Sequence, residues 1–417
     1  MFGKVDYMKA ITKSKFQVLY LYASTLMGSL LGFATSIVNT RFLTDEEYGD
    51  VRYVQNLITL FSWLLLFGYF HAGNRLLALS DDEARSRKVR GAMVLLLGGC
   101  SVVLLLMTLF AGLFHIGQKE AALFFVSLPV CFYPLFTNYV NTTAQGDNFI
   151  GRLAVSRVLP PILYVAIALV VFKFFNATSQ FVILLQWGVY SLIFAIIIIS
   201  TRPRFKELKP VYTRLKEENG AYGAHLYYGS LAMIATHYLA GLMLGVFNDD
   251  NTNVGYYTLA LTLTTPLSYL PGIIGTAYFK RFVNEPAIPQ KVFKATLVLT
   301  VASCVLFMSF IHIVVDWFYP DSYAVVARYA AWMAIAFSVH GVGDMINRFL
   351  GSHGHGVPIR NSSYMCGAFK VFGFIVLVWL WNVEGALITN VVSSSIYTLV
   401  LYIYYRKIVS KKRVTQK

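Results

Sequence analysis

Apolar residues come in long runs separated by short polar breaks, and run length settles the fold class. The runs lie near residues 16–41, 51–78, 90–113, 121–144, 152–173, 179–200, 221–247, 254–279, 292–315, 323–350, 358–381 and 385–405. A helix rising 1.5 Å per residue needs roughly 20 residues to cross ~30 Å of hydrocarbon, and each run is of that order. Lipid offers no partner to open backbone groups, so such runs must be helical. The pattern predicts an all-α polytopic membrane protein with about 12 transmembrane helices. The run starting at Phe16 is too long for the apolar core of a signal peptide and lacks a small-residue cleavage site. It is expected to stay as the first membrane helix.

The polar breaks alternate in charge. Basic clusters occur at Lys4, Lys9, Lys13 and Lys15, at Arg85, Arg87, Lys88 and Arg90, through residues 201–218, at Lys280, Arg281, Lys291 and Lys294, and from Arg406 to Lys417. The other breaks, TDEEYGD, HIGQKE, NATS, NDDNTN, YPDS and NVEG, carry almost no Lys or Arg. The positive-inside rule therefore predicts both termini and the central connection in the cytoplasm.

Composition agrees: 57% hydrophobic residues, 13% charged, and a net charge of +15. That charge follows from topology and attraction to anionic lipids, so no nucleic-acid partner is needed. Cys100, Cys131, Cys304 and Cys366 lie far apart in apolar runs without metal or disulfide spacing. No metal site is expected. No extramembrane segment is long enough for a catalytic domain, and P-loop, GxSxG and HExxH motifs are absent from the sequence. An enzyme is not expected.

The chain also repeats itself at half length. Asp45-x-x-x-Gly49 is echoed by Asp250-x-x-x-x-Gly255; Arg75 lies 26 residues after Gly49, and Arg281 lies 26 after Gly255. This predicts an N-terminal six-helix bundle (1–200), a basic cytoplasmic linker (201–218) and a C-terminal six-helix bundle (219–417). Six helices per half put both in the same orientation, an arrangement suited to alternating access.

Ionisable and amide groups inside the runs are the site candidates, since each is costly at bilayer depth. Lys370 is the deepest cation, either a structural ion pair or a cavity lining. His340, Asp344, Asn347 and Arg348 share one face of the tenth helix, with Asp344 and Arg348 able to neutralise each other. Asn138, Asn141, Thr142 and Gln145 repeat that pattern in the fourth, either as a facing cavity wall or as a helix seam. Arg75, Arg152 and Arg157 read first as snorkelling anchors, with Arg157 retained as a binding candidate. Arg41 and Arg328 lie near the outer face, where arginine is less expected. The substrate-binding set is thus Arg41, Asn138, Asn141, Arg157, Arg328, Asp344, Arg348 and Lys370. Its excess of cations favours an anionic, phosphate-bearing substrate.

Residues 40–78 (TRFLTDEEYGDVRYVQNLITLFSWLLLFGYFHAGNRLLA), their echo at 247–282 and the 6+6 layout resemble the polysaccharide transporter family. These are the O-antigen flippases of the multidrug/oligosaccharidyl-lipid/polysaccharide exporter superfamily. The resemblance implies a MATE-like V-shaped fold in a bacterial inner membrane. It further implies movement of undecaprenyl-pyrophosphate-linked oligosaccharide from the cytoplasmic to the periplasmic leaflet. No cofactor is implied, and coupling to protons, to sodium or to neither stays open. Membrane lipids and polysaccharide polymerase or assembly proteins are the expected partners, and the chain is expected to act as a monomer. The alternative within the same fold is a cation-coupled multidrug exporter, which would use membrane carboxylates that the N-terminal helices largely lack.

Overall fold

The computed structural model describes residues 23–80, 82–115, 117–147 and 149–415. The basic N-terminal residues Lys4, Lys9, Lys13 and Lys15, the start of the first run and Lys417 lie outside them. So do the side chains of Gln145, His225, Lys411, Lys412 and Arg413. Helices make up most of the described residues, and no strand occurs among them.

The chain forms two compact units, one of residues 1–43 and Val54–Leu231, the other of Thr44–Tyr53 and Ala232–Lys417. In the first unit, α1 (23–42) is followed by α2 (Asp45–Leu64), α3 (Tyr69–Ala78) and α4 (Glu83–Phe114). Then come α5 (Gln118–Ser127), α6 (Tyr133–Gly146), α7 (Ile150–Phe174), α8 (Ser179–Ser200) and α9 (Lys209–Glu218). The second unit holds α10 (Ala224–Phe247, from Ala232 on), α11 (Thr252–Ala277), α12 (Phe279–Phe282), α13 (Gln290–Phe318), α14 (Ala324–Ser352) and α15 (Gly356–Thr415). α15 is two arms, interrupted at Trp381–Asn382, where Asn382 takes a left-handed φ of 51°.

Six described helices are long and apolar enough to cross a membrane, or eight if each bent pair counts as one span. α15 counts once there despite its two arms, which the NVEG break predicted. Only 22% of the apolar window of α4 and 17% of that of α13 is buried in the protein. The rest is apolar surface that water would not tolerate and lipid does. The chain is a multi-pass membrane protein.

Two predicted spans are broken. The run 51–78 bends by 63° between α2 and α3, because Phe67 (φ 44°) and Gly68 (φ 81°) both turn left-handed. The run 121–144 bends by 47° across a 3₁₀ turn at Leu128–Val130, where Pro129 removes a helical N–H donor. The predicted linker also carries structure: α9 sits within it, and Glu218 accepts an ion pair from Arg75 at 2.7 Å. Lys88 beside Glu207 holds that carboxyl below its usual range.

TDEEYGD is no loop. Thr44 and Glu47 form a capping box: the Thr44 N–H donates to Glu47 Oε2 at 3.0 Å, and the Glu47 N–H donates to Thr44 Oγ1 at 3.3 Å. The acidic residues are therefore the first turn of α2, where they also oppose the helix dipole. This turn packs inside the second unit, against its own sequence echo. Asp45 accepts hydrogen bonds from the hydroxyls of Tyr256 (2.7 Å) and Ser322 (2.8 Å). Asp50 accepts from Asn251 Nδ2 at 2.9 Å, both groups being buried. Tyr48 is wholly buried, edge-on to Tyr323 at 6.1 Å, and its hydroxyl accepts from Arg52 Nε at 2.9 Å. Gly49 lies so close to Asn251 that a Cβ would sit 1.9 Å from its carbonyl oxygen, and a Cβ on Gly255 would meet Gly49 and Tyr48. The two echoed glycines exist to let these backbones touch.

The first unit is pinned at its basic end by Arg90. Its guanidinium, 3% exposed, grips Asp147, 5% exposed, through Nε at 2.7 Å and Nη2 at 2.9 Å. It also donates to Glu83 (2.8 Å) and to the Thr201 carbonyl (3.0 Å), tying α4, α8 and the α6–α7 turn together. A cation predicted as a loop charge is thus a buried structural tie.

Replacing Gly49 with Leu should destabilise the purified protein by about 1–3 kcal/mol, as overpacking does, whereas Gly32→Ala, inside α1 with nothing within 4 Å, should leave stability unchanged or raise it by up to about 1 kcal/mol. Equal melting temperatures for the two variants would sink this account. Arg90→Met should cost about 3–5 kcal/mol by stranding Asp147, and Arg90→Met with Asp147→Leu should recover most of it. A double variant as unstable as the single one would contradict the ion-pair reading.

Candidate functional site

The polar face predicted on α14 forms in the second unit. His340, Asp344 and Asn347 follow one another by single turns, and Tyr397 from the distal arm of α15 enters among them. The Tyr397 hydroxyl donates to Asp344 Oδ1 at 3.0 Å and accepts from Asn347 Nδ2 at 2.7 Å. Its ring stacks on His340 at 4.4 Å, with planes 17° apart. His340 Nε2 lies 4.0 Å from Asp344 Oδ1, so an imidazolium there would pair with the carboxylate. Gly343 makes the approach feasible, since a Cβ would come within 2.8 Å of the Tyr397 ring. Both Asp344 and His340 remain partly open.

Lys370 lies on the proximal arm of α15, one turn after the buried Cys366, and its charge is felt at His237 and His340. Among the described residues no carboxylate pairs with it. An ammonium at bilayer depth costs about 2.5–3.5 kcal/mol on insertion scales, so it calls for water or an anion at hand. Arg348, one turn beyond Asp344, is exposed and makes no bridge to it among the described residues; its stem lies along α11 at Gly275. The neutralising Asp344–Arg348 pair considered from sequence does not form.

The other candidates are dispersed. Arg328 sits at the start of α14, 61% exposed, in an ion pair with Glu384 at 2.8 Å. Arg41 is exposed in the last turn of α1, in the first unit. Arg157 of α7 donates to the Thr25 hydroxyl of α1. Asn138 is buried and donates to Ser62 Oγ at 3.4 Å, with Asn141 half-buried a turn away. For Asn138 the structure supplies a helix seam.

The first unit has a second polar cluster that sequence reasoning missed. Gln186 of α8 accepts from Gln55 at 3.2 Å and from Asn39 at 3.5 Å, and Asn39 accepts in turn from the Tyr164 hydroxyl. All four side chains are buried. Amides inside apolar runs were the available signal, since hydrocarbon penalises them unless they are paired. Tyr397 had none, being one of 27 tyrosines. No group of three potential metal ligands occurs among the described residues.

Solved structures place this geometry in a known fold. An inward-facing multidrug resistance MATE transporter of the MOP superfamily aligns with a TM-score of 0.67 at 16% identity, over 96% of this chain and 100% of that one. The lipid II flippase MurJ in an inward closed conformation gives 0.75 at 10% identity, over 95% and 91%. The eukaryotic MATE transporter AtDTX14 gives 0.64 at 15% identity, over 97% and 99%. No curated protein matches the sequence. The polysaccharide biosynthesis protein family profile matches residues 16–284. Covering more than half of the sequence, that match shows that the chain belongs to the polysaccharide biosynthesis protein family, built on the all-helical fold of the MATE and MurJ transporters.

Proposed function

We propose that the protein is a flippase carrying an undecaprenyl-pyrophosphate-linked oligosaccharide, the repeat unit of O-antigen or a related surface polysaccharide. The carrying direction is from the cytoplasmic to the periplasmic leaflet of a bacterial inner membrane. The observation that carries this reading is Lys370, a membrane-embedded cation with no carboxylate partner among the described residues, in a chain of the polysaccharide biosynthesis family. A diphosphate supplies what that ammonium lacks, and charge-assisted hydrogen bonds to phosphate are strong in a low-dielectric setting. Asn347 and Tyr397 offer hydrogen-bonding groups to a sugar beside the diphosphate, while the polyprenyl tail stays in lipid. Arg41, Arg157, Arg328, Arg348 and Asn141 are secondary positions for the headgroup's path, while Asn138 serves the helix seam. The basic breaks support cytoplasmic termini.

Alternating access moves the headgroup, and the His340–Asp344–Tyr397 group is where a coupling proton would bind. Asp344 is hydrogen-bonded to Tyr397, and His340 stacks on the same ring with its Nε2 4.0 Å from the carboxylate, so the three groups lie within reach of one another. No cofactor enters the scheme. Polymerase or assembly proteins would take up the product outside, and a single chain suffices for transport. The rival reading is a cation-coupled multidrug exporter, which the carboxylate-bearing Asp344 face would also suit.

Lys370→Gln should lower surface polysaccharide at least ~10-fold at normal membrane abundance, with accumulation of lipid-linked intermediates, while Lys370→Arg should keep part of the export. Asp344→Asn should impair export without restoring it at any external pH. Full-length glycan from both the Lys370→Gln and Asp344→Asn strains, together with altered dye efflux, would replace the flippase by the exporter.

A further inference from the structure

A pocket of about 490 Å³ opens in the second unit where α13 begins and α15 ends. Lys294 and Arg406 line it with Gln290, Phe293, Tyr402 and Tyr405, and no carboxylate lies in its wall. Neither cation has a salt-bridge partner among the described residues. The first turn of α13 carries no side-chain cap, so its unpaired N–H groups add positive potential at the rim that Gln290 forms. The volume lies within the usual range for small-ligand sites, about 300–1,000 Å³. None of these residues belongs to the polar face of Asp344 and Lys370.

Location narrows the ligand. α13 is a candidate membrane span with its pocket-lining residues in the first two turns, so the pocket sits at the edge of the hydrocarbon. Leu297, Val298 and Val301 lie three, four and seven residues after Lys294, on the same helical face, and all three are exposed apolar residues. Two cations thus stand at the head of an apolar lane. Tyr402 is exposed and suits that boundary, since a tyrosine packs its ring on apolar matter and turns its hydroxyl to water, while the Tyr405 hydroxyl accepts from the Ile288 N–H at 3.2 Å. Soluble phosphate would use the cations and ignore the lane; a phospholipid would use both.

We propose that this pocket binds the phosphodiester headgroup of an anionic membrane lipid, with an acyl chain along the Leu297–Val298–Val301 face of α13. The site is independent of the transport reading and would hold for an exporter as well. It fits a lipid that stays bound through purification and steadies the end of the second unit.

The test uses the full-length protein in neutral detergent, titrated with dioleoyl phosphatidylglycerol, dioleoyl phosphatidylcholine or inorganic phosphate and read by native mass spectrometry. Two cations near a membrane surface correspond to about 30-fold in affinity, so phosphatidylglycerol should bind roughly that much more tightly than phosphatidylcholine. Lys294→Gln with Arg406→Gln should remove the preference, and Lys294→Arg with Arg406→Lys should keep it. Val298→Asn should weaken the lipid and leave inorganic phosphate unchanged. The lipid site is overturned if the double Gln variant retains the preference. It is also overturned if inorganic phosphate displaces phosphatidylglycerol at equal concentration, which would make the ligand a free anion. Should the double variant fail to fold, Lys294→Gln alone, at an exposed position, decides the matter by the same comparison.

Discussion

Hydrocarbon has no hydrogen bond to give, so every polar group carried into it must find a partner within the protein or a route to water. This chain carries many such groups. In the first unit they find one another: Gln186 gathers Gln55 and Asn39, Tyr164 closes on Asn39, and Asn138 leans on Ser62. Arg90 is held on three sides by Glu83, Asp147 and a main-chain carbonyl. These contacts cross between helices that would otherwise have only van der Waals packing to align them. Satisfying polar groups and fixing helix positions are here the same event.

The same constraint explains the first turn of α2. Asp45 and Asp50 would be poor choices for a packed turn if they lacked partners, yet Tyr256, Ser322 and Asn251 meet them. Those partners come from the half-chain echo and its surroundings, brought close by Gly49 and Gly255. A helix continuous in sequence therefore divides its residues: Asp45–Tyr53 group with the second unit and the remainder with the first. The acidic first turn serves three needs together, as capping box, dipole complement and packing anchor.

Helical class, membrane residence and the chain break near Asn382 were legible because they depend on composition and run length alone. The bends at Gly68 and Leu128–Val130 were partly legible, since glycine and proline stood there, but apolar content hid them inside continuous runs. TDEEYGD was misread because acidic residues signal a loop in hydropathy and a helix start in capping chemistry, and only Glu47 three residues after Thr44 separates the two. On α14, the shared face of His340, Asp344 and Asn347 was legible because 3.6-residue periodicity fixes a face. Its partner Tyr397 did not show, because contact across α14 and α15 is a tertiary fact. The matching stripe on α6 left two readings open for the same reason: Asn138 and Asp344 occupy similar positions in sequence, and only packing makes Asn138 a seam while Asp344 stays partly open.

That difference bears on where function sits. A polar group fully paired at rest has little free energy left to give a ligand, because binding must first break what already exists. The amide cluster of the first unit is paired in this way. In the second unit Lys370 has no carboxylate among the described residues, and Asp344 keeps an open side beside its tyrosine. An anion placed beside Lys370 would gain a charge-assisted contact at small internal cost. The halves repeat in sequence, but their polar groups differ: closed and mutually paired in the first unit, partly open around Asp344 and Lys370 in the second.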